Sequence, residues 1–115
     1  MIKIYHNPRC SKSRCGLELL DNSGKDFEIV KYLDTPPNNE EVLQLLTLLK
    51  IAPIDLVRKN EAIWKENYKG KEMTEAQIVQ AMVEFPKLIE RPIVIKGNKA
   101  VIGRPIEKVV DLLKE

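Results

Sequence analysis

Two thiols stand in the segment HNPRCSKSRC, at Cys10 and Cys15, and the chain contains no others. Cysteines at close spacing serve as a redox pair, as half of a metal site, or as one nucleophile with an unrelated neighbour. A zinc site usually takes four ligands, and structural sites favour Cys and His. Two Cys and one His in the whole chain fall short of that, so no metal is expected. A redox pair needs its sulfurs to meet. If helix covers both positions, their Cα atoms lie roughly 8–9 Å apart and the side chains diverge by about 140°. That exceeds the ~7 Å at which a disulfide closes without backbone movement. A C-x-x-C pair would place its second sulfur at position 13, where this chain has Ser13.

A lone nucleophile at Cys10 makes better chemical sense. The first N–H groups of a helix have no partner within it, and the helix dipole puts partial positive charge at that end. A cysteine placed there favours the thiolate. Arg9, Lys12 and Arg14 add positive charge, and the hydroxyls of Ser11 and Ser13 could donate to the sulfur. The same loop suits an oxyanion. His6, four residues earlier, either tunes the thiolate or bonds to the loop backbone. The competing reading of Cys10 as a buried structural cysteine is disfavoured by its polar, charged neighbours. Cys15 falls at the edge of an apolar arc formed by Gly16, Leu17, Leu19 and Leu20. It is expected to be a small core residue rather than a resolving thiol, with Gly16 marking close approach of helix and sheet.

Three arginines lie beside structural punctuation: Arg58 in LVRKN, Arg91 in ERPIV and Arg104 in GRP. Arg91 and Arg104 flank a predicted hairpin, so the ends that carry them are neighbours. Their planar forks match the geometry of an oxyanion. Any one of them taken alone fits a solvated surface role; their joint placement favours a site.

The elements that must position these residues follow from the pattern. Ile2, Ile4 and Tyr5 form a short strand ended by Asn7-Pro8, and residues 12–22 read as a helix stopped by Gly24. Phe27, Ile29, Val30 and Tyr32 make a second strand, completing a βαβ unit. Val42, Leu45, Leu46 and Leu49 recur at helical spacing. Residues 53–70 read as short helices and turns. Thr74 and Gln77 form a capping box ahead of a helix carrying Ile78, Ala81, Met82 and Phe85. Ile93–Ile95, a Gly97-Asn98 turn and Ala100–Ile102 form a hairpin. Pro105 is expected at the first position of a closing helix carrying Ile106, Val109, Val110 and Leu113. The order β-α-β, helical insertion, β-β-α is that of an α/β, thioredoxin-like fold with a mixed four-stranded sheet. Its chemistry sits where the first strand meets the first helix. In that fold the proline before the third strand is cis and its loop faces the active cysteine, which singles out Arg91-Pro92.

The whole reads as a single domain over residues 1–115, and a monomer is expected. Charged residues make up 31% with both signs mixed, and the net charge of +2 points to neither nucleic acid nor membrane. No apolar run approaches the ~20 residues that span a bilayer. MIKIY is too short for the apolar region of a secretory leader, so a cytoplasmic location with free thiols is expected.

The stretches HNPRCSKSR, LDTPP, LVRKN, ERPIVI and GRP, in this order, resemble the glutaredoxin-dependent arsenate reductase family over nearly the whole chain. The resemblance implies that Cys10 attacks arsenate and that Arg58, Arg91 and Arg104 hold the oxyanion. It also implies that Ser13 helps stabilise the thiolate and that His6 lies near it. No bound cofactor is implied; glutathione acts as co-substrate and glutaredoxin as the protein partner. The Spx-type regulators, which bind RNA polymerase, share the fold and the N-terminal cysteine loop. Typical members carry C-x-x-C and do not keep all the oxyanion arginines, so the reductase reading ranks first. A related enzyme for another thiol or oxyanion substrate is the third reading.

Overall fold

The computed structural model describes residues 2–115. The chain packs as two compact units. The first is the chain up to Thr35 together with Arg91–Glu115, and the second is Pro36–Glu90.

The first unit is built on a four-stranded sheet in the order β2-β1-β3-β4. Strand β1 (Ile2–Tyr5) pairs parallel with β2 (Phe27–Val30) and antiparallel with β3 (Ile93–Lys96), which pairs antiparallel with β4 (Lys99–Ile102). This is the mixed thioredoxin-like sheet expected from the element order. Parallel pairing of β1 and β2 requires a crossover, supplied by α1 (Ser11–Asn22). The β3–β4 turn has Gly97 at φ 62°, the positive value that a two-residue hairpin turn opening on glycine requires. Strand side chains alternate between faces. On one face Ile2, Ile4 and Val94 meet Leu20 of α1 and Val109 and Leu112 of α6 (Glu107–Leu113), all buried. Leu17, Phe27, Val101 and Ile106 close the edges of this core.

Boundaries differ from expectation at several places: Phe85 lies just past the helix Glu75–Glu84 expected to carry it, and two further differences redirect the backbone. Tyr32 is not part of β2. The ladder is extended by one bond from the His6 N–H to the Val30 carbonyl, and the chain then turns, with Asp34 and Thr35 donating to the Lys31 carbonyl. Tyr32 is buried by that turn, its ring stacked on Tyr5 at 6.0 Å. Pro105 does not open the last helix. It follows a cis bond from Arg104, and α6 starts two residues later.

The second unit is helical: α2 (Asn39–Leu49), α3 (Pro53–Leu56), α4 (Ala62–Asn67), α5 (Glu75–Glu84) and a 3-10 turn (Pro86–Leu88). The expected capping box is present at α5, where Gln77 N–H donates to the Thr74 hydroxyl and Thr74 N–H to the Gln77 side chain. A second box, Asn38 with Glu41, starts α2. Helix α5 packs on α2 and α3 and buries Ile78, Val79, Ala81 and Met82. Trp64, Tyr68 and Phe85 form a chain of ring contacts.

Candidate active site

Cys10 caps the N-terminus of α1 in extended conformation (φ −99°, ψ 123°). The preceding loop is tied into shape by Asn7, which is buried. Its carbonyl accepts the Cys10 N–H (3.0 Å), its side-chain oxygen accepts the Arg9 N–H (3.0 Å), and its own N–H donates to the Ser13 hydroxyl (2.9 Å). Such local side-chain bonds are what an Asn ahead of a Pro favours. The HNP stretch carried that signal, but residue types alone did not say that Asn7 would organise the loop.

Around the sulfur the structure assembles two kinds of donor, backbone N–H groups and arginine guanidinium groups. Burial alone pushes the Cys10 thiol up. The N–H of Ser13, the Arg91 guanidinium and the N–H of Lys12 outweigh it and hold the thiol below its ordinary value. Arg91 is itself buried. Arg104 spans the site: its Nη2 lies 3.5 Å from Cys10 Sγ while its Nε donates to the Arg91 carbonyl at 2.7 Å. The two arginines flanking the hairpin therefore do converge on Cys10, one from before β3 and one from after β4. The Arg91-Pro92 bond is cis, as the fold reading expected.

Ser13 is fully buried, and its hydroxyl is committed elsewhere. It accepts from Asn7 and sits 2.8 Å from His6 Nδ1. The network is satisfied when the hydroxyl donates to Nδ1 of a neutral ring that carries its hydrogen on Nε2. Ser13 thus supports the thiolate through its backbone N–H rather than its hydroxyl. Burial is the main cause holding His6 below the usual imidazole value; Arg14 and Lys31 add to it, and the backbone of Ser13 opposes it. Arg14 is exposed, donates to the Pro8 carbonyl at 3.0 Å, and acts electrostatically on His6. Arg58 lies in the second unit, paired with Glu61 (2.8 Å) and Glu90 (3.3 Å).

Cys15 is a correction. It is exposed, not a core residue. The buried face of α1 is Ser13, Gly16 and Leu20, so the stripe is centred well away from position 15. An arc drawn through apolar residues alone gives no weight to a buried serine, and that displaced the expected edge. Among the described residues no group of three or more His, Cys, Asp or Glu is placed to hold a metal ion.

The ArsC family model matches residues 5–112. The chain belongs to the ArsC family. Among its relatives, the uncharacterized protein YfgD of Escherichia coli (strain K12) is 46% identical over 97% of this chain and 96% of its own length. An arsenate reductase of Neisseria meningitidis is 40% identical over 97% of each chain. The solved structure of an arsenate reductase from Vibrio cholerae superposes with a TM-score of 0.90 at 42% identity, covering 96% of this chain and 95% of that one. These ArsC relatives span the first strand through the last helix, so both compact units fall within the family pattern.

Proposed function

We propose that this protein is an oxidoreductase that reduces arsenate to arsenite, with Cys10 as the nucleophile. The observation that carries the reading is the pair of guanidinium groups, Arg91 and Arg104, directed at a thiol held below its ordinary value. A phosphate-like dianion meets the arginines and the N–H groups that open α1, and the thiolate displaces one arsenate oxygen to form a sulfur–arsenic bond. The arginines stabilise charge on the remaining oxygens as that bond forms. Glutathione then takes the place of a second oxygen. A glutaredoxin thiolate attacks the glutathione sulfur and removes it as a mixed disulfide, leaving two electrons on arsenic; water then breaks the bond from arsenic(III) to Cys10, which returns as the thiolate as arsenite departs. Glutathione as co-substrate, glutaredoxin as partner, a cytoplasmic setting and an oxyanion role for Arg58 come from the family resemblance. Ser13 in place of a second cysteine fits the need for an external thiol.

The test is turnover with arsenate, glutathione and glutaredoxin, run beside a pull-down of RNA polymerase. Arsenite production dependent on both thiol donors is the expected result. No turnover together with firm polymerase binding would replace the enzyme by an Spx-type regulator. Turnover of thiol substrates without arsenate dependence would point to the third reading.

A further inference from the structure

We propose that Gly16 and Gly103 are positioning residues, clamping the Pro92 ring between them and so setting where the Arg91 guanidinium meets the Cys10 sulfur. The clamp has two jaws. On α1, a Cβ at Gly16 would stand 3.1 Å from Pro92 Cγ, 3.3 Å from Pro92 Cβ and 3.4 Å from Ile4 Cδ1. In the loop after β4, a Cβ at Gly103 would stand 2.9 Å from Pro92 Cγ and 3.0 Å from Val109 Cγ2. Ile4 Cδ1 ends a side chain that can turn aside, but the tighter contacts, to Pro92 and Val109, cannot yield that way. Pro92 is a closed ring, and Val109 is fully buried and stiff at its branched Cβ. Added volume on either side must therefore displace Pro92.

Hydrogen bonds fix the same segment along the chain. The Gly103 N–H donates to the Pro92 carbonyl at 2.8 Å, and Arg104 Nε donates to the Arg91 carbonyl at 2.7 Å. Two consecutive carbonyls are thus held by two consecutive residues of the β4–α6 loop. The helix carrying the Gly16 jaw also presents Cys10 and the supporting N–H groups of Lys12 and Ser13. The clamp accordingly sets the spacing between the thiol's helix and the Arg91 backbone. The contacts at Gly16 call for a displacement of a few tenths of an ångström, applied directly to the residue that follows Arg91.

This inference rests on Cys10 being the nucleophile and Arg91 its partner, and not on arsenate being the substrate. The test measures the pH dependence of iodoacetamide alkylation at Cys10, in a Cys15→Ser background that removes the exposed thiol. Gly16→Ala, Gly103→Ala, Arg91→Ala and Gly16→Ala/Arg91→Ala are compared, with folding checked by circular dichroism. Both glycine variants should raise the alkylation midpoint and slow alkylation at neutral pH by roughly threefold to tenfold through loss of thiolate. The double variant should shift no further than Arg91→Ala alone, because the glycine acts through the arginine. An Arg91→Ala profile identical to the parent would overturn the reading of the site itself. A shifted Arg91→Ala profile with unshifted Gly16→Ala, or with additive shifts in the double variant, would overturn the clamp alone. Alanine is the better helix former at position 16, so Gly16→Ala decides the matter even if Gly103→Ala folds poorly.

Discussion

At the scale of single residues, Cys10 owes its character to groups that do different jobs. Backbone N–H groups of Lys12 and Ser13 and the Arg91 guanidinium favour the charged sulfur, while Arg104 joins the sulfur to the Arg91 carbonyl. Cys10→Ser should abolish arsenate reduction, whereas Cys15→Ser, on the exposed side of α1, should leave most of it; the opposite pattern in a turnover assay would reverse the assignment. Ser13→Ala keeps the backbone N–H but strips the partner of Asn7 and His6. It should cost about 1–3 kcal/mol in denaturant unfolding and move the Cys10 alkylation midpoint less than Arg91→Ala does. His6 gives a pH signature. Its folded value lies below the ordinary 6.5, so as pH falls below 6.5 the unfolded chain takes up a proton first. The stability that neutral His6 contributes is present above 6.5 and is lost as pH drops toward the folded value. A His6→Gln variant should lack that part of the slope when unfolding free energies are compared across pH 4.5–7.5. Cys10, Arg91 and Arg104 were legible in the sequence because charge and nucleophilicity belong to residue types. Gly16 was read as a point of close approach because it fell mid-way along the apolar arc, whereas Asn7 and Gly103 were harder to read, since what they contribute is backbone bonding or absent volume. Cys15 was misread because a buried serine held the stripe it was expected to border.

Elements position these residues by making each segment serve twice. Helix α1 ends in the site at one terminus and buries Leu20 in the sheet core near the other. Leu20→Ala should cost about 2–5 kcal/mol, read by denaturant unfolding, because the cavity opens between α1, β1 and α6. At α5, Thr74→Ala removes one half of a reciprocal capping box and should cost about 1 kcal/mol; a loss below a few tenths would show that the cap is dispensable. Strong local signals such as that box, the Gly97-Asn98 turn and the apolar strands were readable in the chain itself. Tyr32 and Pro105 were not. Tyr32 is apolar enough to extend a strand but is buried by a turn. Pro105 has the character of a helix opener but belongs to the loop that ends at Ile106. In both cases side-chain type was a poor guide to backbone path.

At the scale of the whole molecule, the sheet-bearing unit is discontinuous in sequence, with Pro36–Glu90 inserted between its halves. His6, Cys10, Ser13, Arg91 and Arg104 all belong to that one unit, so its site joins the two halves. Arg58 belongs to the other, held by Glu61 and Glu90. Its proposed oxyanion role predicts that Arg58→Ala lowers kcat/KM for arsenate by roughly 10–100-fold, and full activity would remove it from the reaction. The element order and sheet were visible from periodicity, whereas the division into two units depends on long-range contacts that periodicity does not encode. The bond between Arg104 and Cys10 spans 94 positions. A ribosome therefore releases the cysteine long before it has made the group that completes its surroundings. Until β3 and β4 dock beside β1, the growing polypeptide lacks the contribution of both arginines to the thiolate, so Cys10 is less reactive in an unfinished chain than in the folded one.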